Sequence, residues 1–419
     1  MKIIKSMLLA VAAWGGLFTA VHPAFAQTWK QTSLPSELWQ TVASSADGSK
    51  LIAGSMFYIY GISTNSGTTW ITNTEPQIGS THGSWYCIAS SADGTRYAGV
   101  NGNAIWVSTN SGLTWLSNSV PGASFLDTVA FSADGNQLVT AVGMANNGDN
   151  IAGPIYTSTN WGVTMTLTMA PTNDSTSVAS SADGTKLIAA GGLFPQGGFI
   201  YTSTNSGLSW ALTGAPTNQF WASVACSADG SKLVAAAWIA FFPATNYGSV
   251  FTSTNFGMTW VSNNVPAAQW ESVSSSADGI RLVAVAVADI AGFGWIYTST
   301  NSGNTWVSNN VPNDGGWLSV ASSADGDKLV AASSGPGVGA VYTLQTTPAP
   351  QMNITPANGN LALSWIVPST DFRLQQNLDL TTTNWTDVTN PPVLNLTNLQ
   401  NEVTFPLTGS NAFYRLKTP

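Results

Sequence analysis

The stretch STNSGTTW, residues 63–70, decides the fold because the chain repeats it. Close copies are STNSGLTW at 108–115, STNWGVTM at 158–165, STNSGLSW at 203–210, STNFGMTW at 253–260 and STNSGNTW at 299–306. A second motif, Ser-Ala-Asp-Gly, keeps the same rhythm, with aspartates at Asp47, Asp93, Asp134, Asp183, Asp229, Asp278 and Asp325. One full unit, residues 221–266, holds four short β-prone runs: ASVAC, KLVAAA, SVFTST and TWVSNN. Gly, Asn, Asp and Pro clusters separate them. Four strands in about 40–50 residues is the size of a propeller blade.

The strands differ in a way that suits radial packing. The first run of most units is Ser, Ala and Val, as in SVASS at 177–181, and larger residues such as Ile200 and Tyr201 fall in the third. Small side chains fit where blades converge. The octapeptide joins the third and fourth runs. Its Asn side chain can accept backbone N–H groups in an Asx-type turn, and its Gly can supply positive φ. The closing Trp is expected to fill space between blades. The seventh unit stops after AVYTLQ, before any octapeptide, while Thr28-Trp29 near the start matches the Thr-Trp that ends one. The N-terminal strand is therefore expected to complete the last blade. An open solenoid would give this split unit no purpose. The expected fold is all-β: a seven-bladed β-propeller closed by the N-terminal strand, spanning 27–345.

The pattern Ser-x-Asn-x-Gly-x-Thr-Trp resembles the BNR or Asp-box repeat of sialidases, sortilin-type receptors, xyloglucanases and photosystem II assembly-factor propellers. The blade count is most similar to the last. The resemblance implies that the octapeptide is a structural turn, remote from any ligand site. This chain carries Asn where that repeat usually carries Asp.

Residues 1–26 read as a secretory signal: Lys2 and Lys5, an apolar run, then Ala24-Phe25-Ala26 as the cleavage site. The expected location is extracellular or periplasmic, with no membrane span. TTPAP at 346–350 reads as a linker, and 351–419 as a small β-sandwich resembling fibronectin- or immunoglobulin-like bacterial modules.

Lys and Arg number 12 against 20 Asp and Glu in the whole chain, and the leader holds two of the basic residues. Such acidity disfavours nucleic acid. Two cysteines, Cys87 and Cys226, make no disulfide framework and read as small buried residues. His82, the single histidine beyond the leader, has no second histidine for a metal site. No metal or cofactor is expected. The Ser-Ala-Asp-Gly aspartates read as turn residues. The base three places later (Lys50, Arg96, Lys186, Lys232, Arg281, Lys328, with Gln137 as the exception) reads as a local ion-pair partner or a solvated rim. The propeller's two arginines both sit in this column, so the three-arginine clamp of sialidases cannot be assembled.

Two readings of function remain. Asp127 and Glu271 share one column, just after the entry to the first strand, where the other units have Gln40, Tyr86, Thr176, Ala222 and Leu318. A glycoside hydrolase needs two such carboxylates. Units three and six stand nearly opposite, which would separate them unless the channel is narrow. The favoured reading is a non-catalytic scaffold, expected to be monomeric, that binds a polysaccharide or protein through its variable-loop face. Trp238, Phe241, Phe242, Tyr247 and Trp295 are the ligand candidates, beside Phe194 and Phe293. The entry tryptophans Trp39, Trp85, Trp221, Trp270 and Trp317 are read as packing between blades, with ligand contact as the alternative.

Overall fold

The computed structural model describes residues 29–417, apart from 58, 75–83, 103, 124, 144–152, 172–174, 194–196, 239–247, 288–293, 310, 312–314, 335–338, 346–351, 358–359, 367–372, 379–381, 383, 397–398 and 407–411. The expected leader and linker lie outside the described residues. So do His82, Phe194, Phe241, Phe242, Tyr247 and Phe293.

The described residues form strands, with no helix among them. Between 30 and 345 they make seven antiparallel sheets of four strands each. Six sheets are consecutive in sequence. The first, for example, runs Trp39–Ser44, Leu51–Ser55, Ile59–Ser63 and Ile71–Thr74. The seventh takes its outer strand from the other end of the chain: Lys30 pairs with Thr343 and Gln31 with Tyr342. Trp29 is buried beside Tyr342 and Leu344, and its ring lies 6.2 Å from that of Trp317.

Each Ser-Ala-Asp-Gly turn binds the next. The Ala46 N–H donates to the Ala92 carbonyl, Ala92 to Ala133, Ala133 to Ala182, Ala182 to Ala228, Ala228 to Ala277 and Ala277 to Ala324. Ala324 then donates back to Ala46 at 2.7 Å, so the seven bonds form a closed cycle. The basic column makes a second cycle. Lys50 Nζ donates to the Asp93 carbonyl and Arg96 Nη1 to that of Asp134, both at 2.9 Å. Lys186, Lys232 and Arg281 follow suit, and Lys328 returns to Asp47. Of the two readings open from sequence, a local ion pair or a solvated rim, an ion pair is made by Arg281, to Asp327 at 2.7 Å. The aspartate carboxylate is already engaged in its own turn, as when Asp47 accepts from Ser45 Oγ, Ser49 Oγ and the Ser49 N–H. What every base in the column meets is the neighbouring unit's carbonyl. Its aliphatic stem crosses the neighbour's glycine, where a Cβ on Gly48 would stand 2.8 Å from Lys328 Cδ.

Hydroxyls on the first strands link the units a third time. The Ile88 N–H donates to Thr41 Oγ1, Val178 to Thr128, Val224 to Ser177, Val273 to Ser223, Val320 to Ser272 and Val42 to Ser319. Cys87 holds the same column, and its Sγ reaches the Val129 carbonyl at 3.6 Å. Burial raises the thiol pKa of Cys87 to about 11 and that of Cys226 to about 12, so both stay protonated at neutral pH.

The entry tryptophans fill the space between sheets. Trp39, Trp85, Trp221, Trp270 and Trp317 are all but sealed from solvent. The octapeptide tryptophans Trp70, Trp210, Trp260 and Trp306 are half-buried nearer the rim, and Trp115 is buried.

Residues 353–417 make one sheet of four strands and one of three. Their side chains meet in a cluster of Leu363, Trp365, Leu374 and Val403, with Phe405, Tyr414 and Leu416 against it.

Candidate functional site

The site grows from a defect repeated in the innermost strands. In six of the seven sheets the pairing of the first two strands skips one residue. Trp39 faces Ser55 and Thr41 faces Gly54, which leaves Gln40 unpaired. The same irregularity falls at Asp127, Thr176, Ala222, Glu271 and Leu318. In the second unit Tyr86 donates its N–H to Val100, the residue that also faces Cys87. A bulge of this kind re-aims one side chain and leaves the rest of the ladder in register. The bulged residue therefore leaves the packed face between sheets, and Gln40, Tyr86, Asp127, Ala222, Glu271 and Leu318 are half-buried rather than sealed.

The column converges. Burial raises the Glu271 carboxyl to about 7, and the negative charge of Asp127 pushes in the same direction. Standing in units three and six thus does not separate the two acids electrically. Asp127 lies over Gly143, where a Cβ would come 2.9 Å from Oδ2; only glycine leaves room for that carboxylate. Tyr86 packs edge-on against Phe125, with ring centroids 4.6 Å apart. Gln40 Oε1 is buried without a hydrogen-bond partner among the described residues. This end of the first strands holds a carboxyl whose pKa burial raises to about 7, within electrostatic reach of Asp127. Such a pair can give and take a proton, or answer a cationic or hydroxylated group.

Of the expected aromatic ligand residues, two are described. Trp238 ends the second strand of unit five opposite Phe220, at the same end of the sheet as the bulge, and is 36% exposed. Trp295 is half-buried, pairs with Ala286 and stands 6.3 Å from the Tyr297 ring. Sequence reasoning found the Asp127–Glu271 column by its break in the repeat. It placed Gln40 and Tyr86 in that column but gave them no role, because neither is a break of charge. The bulge itself had no sequence signal stronger than the Trp that precedes it.

No family model matches the chain, and no curated protein matches it. Solved structures do. Hydrazine synthase of Kuenenia stuttgartiensis is 14% identical with a TM-score of 0.58, covering 79% of this chain and 99% of that one. YCF48 from Cyanidioschyzon merolae is 14% identical with a TM-score of 0.55, covering 76% and 98%. The GH74 xyloglucanase from Xanthomonas campestris is 13% identical with a TM-score of 0.56, covering 81% of this chain and 59% of that one. At such identities the likeness concerns the fold: this is an all-β chain of four-stranded antiparallel sheets, similar to β-propellers.

Proposed function

We propose that the chain is a seven-bladed β-propeller of the Asp-box kind, closed by its N-terminal strand and followed by a small β-sandwich. The returning Ala324–Ala46 bond and the Lys30–Thr343 pairing support the closure. The leader-like residues 1–26 support export. The protein works as a binding scaffold for a polysaccharide or protein partner, held on the face where the first strands begin. One observation carries this reading. The bulges turn Asp127 and Glu271 out of the packed face at that mouth, where the charge of Asp127 reaches Glu271, whereas on the opposite face the motif side chains are engaged between units. The few charges and the exposed Trp238 beside the mouth suit sugar faces or a peptide.

Two of the structural neighbours are described by such ligands: YCF48 has been solved bound to D1 peptide, and GH74 is a xyloglucanase. A glycan array and a peptide library probed with the intact protein test the reading. Asp127→Asn with Glu271→Gln should weaken any hit at least ten-fold, about 1.4 kcal/mol. Hits that bind the double variant as well as the wild type would move the site elsewhere.

A second reading has its own support. A carboxyl raised to about 7, with a second acid within electrostatic reach, suits the proton donor of a glycoside hydrolase, with Glu271 as acid and Asp127 as its partner. It requires that the same glycan hits be cleaved, and that Glu271→Gln abolish cleavage while binding persists.

A further inference from the structure

At the opposite end of the first strands, the C-terminal module touches the turns. Ala46 and Ala324 are buried there, and packed against them are Ala92, Ala277 and two residues of the C-terminal module, Leu394 and Leu399. Those alanines belong to the hydrogen-bonded cycle, so the leucines sit on the place where the turns converge. Alanine methyls are apolar, and branched side chains can pack on them without a polar partner.

The segment that carries the leucines is shaped for the contact. The Leu399 N–H donates to the Asn395 carbonyl at 2.8 Å, and Asn395 Nδ2 is tied to Glu402 Oε1 at 2.9 Å. Leu399 has φ +55°, a left-handed conformation that leucine rarely adopts. Strain of this sort persists where surroundings impose it. Here it sits on the residue that meets the alanines.

We propose that the C-terminal module is a built-in stopper: its Leu394 and Leu399 side chains seal the alanine-lined end of the axis, leaving the Asp127/Glu271 mouth as the single way in. The module is then neither a free tether nor a second ligand domain on that face. This inference rests on the closed ring and is independent of which ligand the mouth takes.

The test uses the full chain with a protease site placed within residues 346–350. Ala324→Cys is paired with Leu399→Cys, and in a control with Leu378→Cys, since Leu378 is exposed elsewhere on the module. After mild oxidation and cleavage of the linker, the first pair should hold the two fragments together on a non-reducing gel. Its yield should exceed the control by at least about ten-fold, as expected for groups held at high effective concentration. Equal yields, or a product joining two copies, would overturn the proposal. A variant that needs no new bond gives the second reading. Leu394→Asp with Leu399→Asp, at unchanged near-ultraviolet circular dichroism, should lengthen the particle in small-angle scattering. An unchanged envelope would equally sink the stopper.

Discussion

Gln137 stands where the other six units carry Lys or Arg, and it does the same work: its Nε2 donates to the Asp183 carbonyl at 2.9 Å. The column therefore needs a long side chain with an N–H donor more than it needs a charge. Gln137→Lys should be close to neutral in stability, whereas Gln137→Ala should lose about 0.5–1.5 kcal/mol, the net worth of one hydrogen bond. Urea titration decides; equal losses in both variants would mean that charge matters after all. Glu271 is the residue that should make stability depend on pH. Its folded pKa of about 7 lies above the ordinary 4.5, so the folded state holds a proton that the unfolded state releases. Its contribution is intact below about 4.5 and declines as pH rises toward 7, by on the order of 3 kcal/mol in all. Glu271→Gln should remove that decline and raise the melting temperature at pH 8 relative to the wild type, with little difference at pH 4. A wild-type curve flat over this window would show that Glu271 is not desolvated. Asp47 acts oppositely. Burial alone would raise Asp47, yet hydrogen bonds from Ser45 and Ser49 and the charge of Lys328 outweigh it and hold its pKa low. Its support is present above the ordinary aspartate range and fades in acid.

The octapeptide turn shows, at the scale of an element, why some of this structure was legible in sequence. In STNFGMTW, Asn255 Oδ1 accepts from the Thr259 N–H at 2.9 Å, and Ser253 Oγ accepts from the Gly257 N–H at 2.9 Å. Asn255 Nδ2 also donates to Thr259 Oγ1 at 2.8 Å. Asn255→Ala should cost about 1–2 kcal/mol, as loss of a capping side chain does. Gly257→Ala should cost more, because φ is +83° and the new Cβ would come 2.7 Å from Thr213 Cγ2. Chemical denaturation of the two variants checks both the size and the order. Sequence reading anticipated the Asx-type turn and its glycine, since both follow from residue type at fixed spacing. It did not anticipate the second left-handed residue just before the glycine, filled by Ser in four copies but by Trp161 and Phe256 in the others. Nothing in the propensity of Trp or Phe points to that conformation. The bonds between units were hidden for a different reason: their partners lie some 40–50 residues apart, and a one-dimensional pattern shows only that a column exists.

For the molecule as a whole, the outer edge of the last sheet is the decisive place. The strand Ala340–Gln345 would offer free N–H and C=O groups to any passing strand if Lys30 and Gln31 did not pair with it. Two ladder pairs are a short seam, so the burial of Trp29 against Trp317 and Tyr342 should provide most of the hold. Trp29→Ala should cost about 3–5 kcal/mol, the usual range for a buried Trp. A chain lacking residues 27–34 goes further, since it loses the seam, Trp29 and the Leu34 packing beside Trp39 and Val341. It should unfold at a lower temperature, lose the single cooperative transition and associate through the bared edge. A synthetic peptide of residues 27–36 added in trans should reverse all three, because the cycle of bonds through Ala324 and Ala46 leaves the rest of the ring in place to receive it. Calorimetry with and without the peptide, alongside sedimentation, reads the outcome. A truncated chain that melts with the wild type and stays at its mass would show that the ring is closed by the turns alone, with the N-terminal strand a passenger.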